Sequence, residues 1–222
     1  MSDGSLPAAL CDGVTALDLG LDEAQCGKLL AYLDLLQKWN RVYNLTAVRD
    51  PMQMLRHHLL DSLTVIMPLH RTLRARNLAT AARVLDVGSG GGLPGVVIAI
   101  CCPDIQVTCI DAVAKKVAFI RQAASILGLA NLQAVHGRVE QLPGLFDVVC
   151  SRAFAALPDF MRWTAQLLAP GGCWMAMKGH EPEDEIAALP DSIRVFHVEP
   201  LRVPGLDAQR CIVWLEPATP NA

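Results

Sequence analysis

Apolar residues along the chain change their spacing once, and the change divides the sequence in two. From Asp22 they fall at helical intervals: Cys26, Leu29, Leu30, Leu33 and Leu36 repeat at three and four. Asp22 and Glu23 stand where acids complement a helix N-terminus. A second helix is predicted from Pro51, a favoured first-turn residue, to about Met67. Between the two lies RVYNLTAVRD, too rich in β-branched residues and turn formers for a helix. Residues 1–80 thus read as a helical cap.

After Arg83 the rhythm shortens. Apolar runs at 84–87, 106–110, 132–135, 146–150 and 173–177 predict strands. Helical stretches separate them at 93–101, at 115–127 (closed by Gly128) and at 160–168, which Pro170-Gly171-Gly172 ends. Two further β-rich runs, 193–200 and 211–216, are joined by a Pro-Gly loop and suit an antiparallel hairpin. Strand and helix alternate, so the predicted fold is α/β: a doubly wound, mostly parallel seven-stranded sheet behind an N-terminal helical extension. The sheet domain is expected over 81–216, with 217–222 a flexible tail.

Composition narrows the class. Hydrophobic residues make up 52% of the 222 and charged residues 18%, enough to bury a core and too apolar for a disordered chain. The start, MSDGSLPAALCDG, lacks a basic leader followed by an apolar stretch. The longest uninterrupted apolar run, Val96 to Cys102, falls far short of a membrane helix. The expectation is a cytoplasmic monomer with no membrane partner. Eight cysteines include no C-x-x-C pair and no Cys/His cluster with zinc spacing, so no metal is expected and the thiols read as small buried hydrophobes.

Net charge is only −3, but it is unevenly spread. Residues 38–83 carry eight bases against two acids, a net of +6, immediately before the richest glycine stretch. This is the electrostatic footprint of a polyanion, or equally of a solvated helix face.

That glycine stretch is VLDVGSGGGLPG, 84–95. It follows a predicted strand and opens a helix, where open α/β sheets bind ligands. Gly90, Gly92 and Gly95 satisfy the dinucleotide pattern G-x-G-x-x-G. Asp111, at the end of the second strand, is placed for a ribose diol. Asp86 separates the candidates. It would oppose the pyrophosphate of a dinucleotide across a low-dielectric crevice, whereas it favours the ammonium and sulfonium of S-adenosylmethionine. The combination of Asp86, Gly88, Gly90, Gly92 and Asp111 therefore points to the methyl donor. HGRVE, 136–140, follows the third strand, and Val139 with its backbone is placed for an adenine ring. SRA, 151–153, follows the fourth strand, where the methyl acceptor is expected.

Missing motifs restrict that acceptor. No Asp/Asn-Pro-Pro-aromatic clamp for an exocyclic amine follows the fourth strand, which reads SRAF. No Pro-Cys pair supplies a nucleophile: Cys102-Pro103 has the opposite order, and Cys150 lies within an apolar strand. Such a site suits an atom with a ready lone pair, such as guanine N7, methylated through proximity and orientation. Arg152 and Lys178, just past strand ends, are candidates for holding the base edge.

Taken together, KWNRVYNLTAVRDP (38–51), HHLLDSL (57–63), VLDVGSGGGLPG, IDAVAKKVAFIRQ (110–122), GRVE, SRAFA and MKG (177–179) mark the sequence as one that resembles the bacterial small-subunit ribosomal RNA methyltransferase G family, the glucose-inhibited division protein B family. The resemblance covers nearly the whole chain. It implies a Rossmann-like class I methyltransferase that transfers a methyl group from S-adenosylmethionine to N7 of guanine 527 in 16S rRNA, as naked RNA or in the 30S particle. Carried over by motif, Gly88, Leu93, Asp111, Val139, Glu140 and Arg152 are donor-contacting positions, beside Asp86 and Gly90. Asn44, His58, Lys115 and Lys178 are candidates for RNA or acceptor-base contact, with His57 an alternative to His58. No residue is assigned as catalytic acid or base. Gly91 departs from the family, which often carries proline or alanine there. A methyltransferase acting on another RNA site or a small molecule, a dinucleotide-dependent reductase and a non-enzymatic RNA-binding module stand as the alternatives.

Overall fold

A computed structural model describes residues 5–78 and 81–218. Its centre is a seven-stranded sheet: β1 (Arg83–Val87), β2 (Gln106–Asp111), β3 (Leu132–His136), β4 (Phe146–Arg152), β5 (Leu168–Lys178), β6 (Ile193–Leu201) and β7 (Arg210–Pro217). Their order is β3-β2-β1-β4-β5-β7-β6. The first five run parallel, and β7 enters antiparallel between β5 and β6. The order reverses between β1 and β4, which leaves a crevice at their carboxyl ends, where this fold binds its ligands. The predicted doubly wound, mostly parallel sheet is the one observed.

Helices cover both faces: α1 (Leu6–Ala16), α2 (Glu23–Tyr43), α3 (Pro51–Met54), α4 (Asp61–Leu63), α5 (Ile66–Ala75), α6 (Gly95–Cys101), α7 (Ala114–Leu127), α8 (Leu157–Thr164) and α9 (Glu183–Ala187). A π-helical turn, Leu55–Leu60, joins α3 to α4. The N-terminal helices share one apolar core with α6, α7 and one face of the sheet: Leu29, Leu33, Leu36 and Leu59 pack with Val96, Ile98, Phe119 and Ile120. The opposite face packs Leu85, Val149, Phe160, Trp174 and Leu215.

Capping chemistry sets the helix ends. Asp22 and Gln25 form a capping box at the start of α2, and Asn44 ends it in the left-handed region at φ +50°. Gln25 also reaches Ile100 and Cys101 carbonyls at 3.2 and 3.1 Å, so one residue caps α2 and docks it on the end of α6. Gly128 closes α7 as expected, at φ +63°.

Several sequence expectations are corrected. α1 went unpredicted, although Ser5 accepts a hydrogen bond from Ala8 and proline stands in the first turn. α2 continues to Tyr43, three residues into the stretch read as non-helical, because Tyr43 stacks on Trp39. The helix predicted from Pro51 to Met67 is broken by the π turn and by a turn at Thr64 and Val65. A separate helix, α5, carries Pro68 in its first turn, where the missing N–H costs nothing. α8 begins at Leu157 rather than Phe160, and Pro170-Gly171-Gly172 lies within β5, next to the register irregularity against Phe146 and Val148. β7 includes Pro217, the first residue of the predicted tail, and 219–222 lie outside the described residues.

Candidate active site

The glycine turn leaves β1 at Val87 and climbs to α6. Gly88, Gly90 and Gly92 have φ of +65°, +57° and +86°, a region that favours glycine. At Gly88 a side chain is excluded twice over: a Cβ would lie 2.3 Å from the Phe154 ring. Gly90 donates its N–H to Asp111 Oδ2 at 2.9 Å. Asp111 Oδ1 accepts from Val113 N–H at 2.8 Å, and Lys116 Nζ stands 3.7 Å from Oδ2. The acid after β2 therefore braces the turn and still has lone pairs for a ligand.

Asp86 lies beneath this turn, wholly buried. Its Oδ2 accepts the Gly95 N–H at 2.9 Å, at the start of α6. Gly95 must be glycine here, since a Cβ would meet Cys109 Sγ at 2.4 Å and Asp86 Oδ2 at 2.8 Å. Asp86 Oδ1 has no hydrogen-bond partner. Burial pushes the Asp86 carboxyl up to about 7. A cation above the loop would oppose that cost, which is the charge logic read from the sequence, acting from below the loop rather than from a cavity wall.

Three cavities lie in a row along the carboxyl edge of the sheet. The first, about 230 Å³, is lined by Gly88, Asp111, Val139, Glu140, Phe154 and Trp163 among others, and gathers the ends of β1, β2 and β3. The second, about 140 Å³, lies between the glycine turn and the N-terminal helices, with Leu36, Thr46, His58, Gly88, Leu93 and Arg152 in its wall. The third, about 550 Å³, is lined by His57, His58, Asp61, Arg152, Lys178 and Arg210, with Cys211 nearby in the same wall. Gly88 belongs to the first and second, and His58 and Arg152 to the second and third. The sequence-predicted donor positions Gly88, Leu93, Asp111, Val139, Glu140 and Arg152 all line the first two.

The third cavity is organised by a residue that sequence reasoning missed. Asp61, almost fully buried, accepts from Arg152 Nη1 at 3.0 Å and from Arg210 Nε at 2.9 Å. Arg152 Nη1 also donates to the His57 carbonyl at 3.0 Å, within the π turn. π turns reorient helix faces, often at functional sites. The signal for Asp61 was present: it is one of two acids in the +6 segment, and leucines surround it in HHLLDSL. Arg210 carried no such signal. Lys178 is bound to Glu185 at 2.7 Å and donates to the Ala155 carbonyl at 3.1 Å. Among the described residues, the Nη2 groups of Arg152 and Arg210 have no hydrogen-bond partner, so both arginines keep N–H donors free in this wall.

His58 is the more buried of the two histidines and shares a 2.7 Å hydrogen bond with Thr46 Oγ1. Burial first, then Arg152, lowers its pKa to about 4, so it is neutral at ordinary pH. His57 is half-buried and lines only the third cavity. Cys211 lies in the same wall, but burial raises its pKa, and a protonated thiol is a poor nucleophile. Asn44 and Lys115 line none of these cavities. They adjoin each other at the end of α2, where Lys115 Nζ donates to the Tyr43 carbonyl at 3.0 Å.

Known structures share this fold. The N-methyltransferase NodS from Bradyrhizobium japonicum, solved with S-adenosyl-L-homocysteine, superposes with a TM-score of 0.58 at 14% identity, over 83% of this chain and 99% of that one. An S-adenosylmethionine-dependent methyltransferase from Geobacter sulfurreducens, also with S-adenosyl-L-homocysteine, gives 0.52 at 16% identity, over 69% and 90%. The fold is that of the Rossmann-like methyltransferases. Sequence carries the assignment further. The profile of the rRNA small subunit methyltransferase G family matches residues 25–213. Ribosomal RNA small subunit methyltransferase G from Acidovorax ebreus is 62% identical over 221 residues, 98% of each chain. Its counterpart from a Polaromonas strain is 61% identical over 203 residues, 91% of this chain and 90% of the other. The protein belongs to the rRNA small subunit methyltransferase G family, as YNLT, GLPG and SRAF implied.

Proposed function

We propose that this protein transfers a methyl group from S-adenosylmethionine to N7 of guanine 527 in 16S rRNA, working in the cytoplasm as a monomer. The observation that carries the reading is the row of three cavities joined by Gly88, then by His58 and Arg152. The first has an adenosine's shape requirements: a carboxylate for the ribose, and Val139 with Phe154 and Trp163 for the ring. The second is small, lies over the buried Asp86 carboxylate, and fits the donor's methionine part. The donor supplies an electrophilic methyl group when bound.

The third cavity would receive the acceptor base. Guanine N7 already has a lone pair, so no group need remove a proton before attack. The site's neutral His58, ion-paired Lys178 and protonated Cys211 supply no strong base or nucleophile, which suits that acceptor. The chain's contribution is placement. Arg152 and Arg210 are locked on Asp61 with donors free for O6 or a phosphate, and they leave N7 uncapped. Basic residues of 38–83, Arg49 and Arg56 among them, would hold the RNA backbone.

The test is methyl transfer from labelled S-adenosylmethionine to free guanosine, naked 16S rRNA and 30S particles, with the product located by mass spectrometry of nuclease fragments. N7-methylguanosine at one position of the rRNA is expected. Methylation of free guanosine at a comparable rate, or of a different atom, would overturn the proposal.

A further inference from the structure

The rRNA reading leaves one surface feature without a partner. α2 ends on Val42 and Tyr43, which are 69% and 43% exposed, and Val113 of the neighbouring segment is 38% exposed. A single exposed tyrosine needs no explanation. This one differs in what stands behind it and around it.

Behind it runs a column of rings. Tyr43 lies 4.8 Å from Trp39, centroid to centroid, and Trp39 lies 5.5 Å from Phe119. Phe119 lies 6.1 Å from Tyr32, whose hydroxyl donates to the Gly91 carbonyl of the glycine turn at 2.6 Å. The inner rings, Tyr32 and Phe119, are fully buried. The outermost ring is therefore held on one side by Trp39 and open on the other. Two exposed cations, Arg49 and Lys115, are bonded to the end of the same helix. Lys115 is held by the Tyr43 carbonyl, and Arg49 Nη2 by Asn44 Oδ1 at 3.0 Å. The nearby acid, Asp50, is spent capping α3. Two residues beyond Tyr43 the chain enters the wall of the second cavity at Leu45 and Thr46.

We propose that Tyr43 is a stacking platform for an unpaired base of the RNA whose guanine this site methylates. The proposal rests on the rRNA reading above. An aromatic face backed by Trp39, with Lys115 bonded to its own carbonyl and Arg49 to the next residue, matches the two parts of a single-stranded nucleotide, the base and the phosphate. The ring comes from the end of α2, and the cations from the loop before α3 and the start of α7, all joined by hydrogen bonds at the end of α2.

The experiment is filter binding of 16S rRNA and 30S particles to the full chain over a salt series, with calorimetry of S-adenosyl-L-homocysteine alongside. Tyr43→Ala is expected to weaken RNA binding about tenfold, within the range for loss of one stacked base. Its slope of log affinity against log salt stays that of wild type, because no charge is removed. Tyr43→Phe stays within about twofold of wild type, and S-adenosyl-L-homocysteine affinity is unchanged in both. Undiminished RNA binding by Tyr43→Ala, an equal loss in Tyr43→Phe, a reduced salt slope, or a matching loss of S-adenosyl-L-homocysteine affinity would each overturn the platform. Failure of wild type to bind either RNA form would instead strike the rRNA reading itself.

Discussion

Asp61 holds two arginines from distant strands, and Asp61→Asn tests what that is worth. The substitution keeps size and shape and removes the charge. In the native site one carboxylate accepts from Arg152 at 3.0 Å and Arg210 at 2.9 Å. Hydrogen bonds to charged groups contribute about 1.5–3 kcal/mol each, and neutral ones about 0.5–1.5 kcal/mol. Asparagine offers a single acceptor oxygen, and its amide donors meet a guanidinium that cannot accept. One bond becomes weaker and the other is lost. Both arginines keep about a quarter of their side-chain surface in water, at 23% and 24%, so solvent recovers part of the difference. The net loss is about 2 kcal/mol. For a urea slope of about 2 kcal/mol/M this lowers the unfolding midpoint by about 1 M.

The chemical consequence is separable from the structural one. With Asp61 neutral, Arg152 and Arg210 still carry charge but lose their common anchor. kcat/KM for rRNA is expected to fall at least tenfold, and affinity for S-adenosyl-L-homocysteine by less, since most of the first cavity lies away from Asp61. The assays are urea unfolding, methyl transfer under subsaturating rRNA, and calorimetry of the donor product. An unchanged midpoint together with unchanged kcat/KM would refute the reasoning. A loss confined to donor affinity would show that Asp61 serves the donor pocket instead.

Three further outcomes are expected. Asp86 and His58 titrate against each other: the raised Asp86 pKa (about 7) gives stability that is present at low pH and lost as pH rises through about 7, while the lowered His58 pKa (about 4) gives stability present above its ordinary 6.5 and lost as pH falls toward 4. Their opposed slopes overlap between about pH 4 and 6.5, so in the ligand-free protein Asp86→Asn should become more stable as pH rises through that window and His58→Gln less; urea midpoints that follow one common slope in all three proteins would refute this. Gly95→Ala puts a methyl group within 2.4 Å of Cys109 Sγ and should destabilise by about 1–3 kcal/mol or more, partly relieved by Cys109→Ala; strictly additive midpoints would show that the two do not touch. Of the eight free cysteines, exposed Cys11 should react first with a thiol reagent, Cys26 more slowly, and the six buried thiols only on unfolding; early labelling of Cys211 would mean that the third cavity opens more widely than the structure shows.

Local chemistry was legible in the sequence wherever it depended on neighbours in the chain. The glycine turn announced itself because positive φ favours glycine at alternate positions, 88, 90 and 92, and Phe154 leaves no room for a side chain at the first. Asp111 could be placed beside the turn because it ends the strand that follows it. Asp22 and Glu23, acids suited to a helix N-terminus, marked the start of α2. α5 was missed for a local reason too, since Pro68 reads as a terminator until the helix is seen to begin at Ile66. What stayed hidden in the site was hidden by distance. Asp61 meets Arg152 across 91 residues and Arg210 across 149. Arg152 was singled out at the end of its strand, but its partners were not, and only the insertion of β7 between β5 and β6 brings Arg210 to the crevice.

That division between local and distant residues follows the division of labour in the site. The first cavity is built from short turns after β1, β2 and β3, each of which reads as a motif. The third cavity draws on a π turn in the N-terminal helices, the end of β4, and a strand that runs against the rest. Asp61 ties those three sources together with two bonds. Its removal therefore tests more than one ion pair. If the third cavity is built for the acceptor, loss of its common anchor must cost acceptor turnover before it costs donor binding.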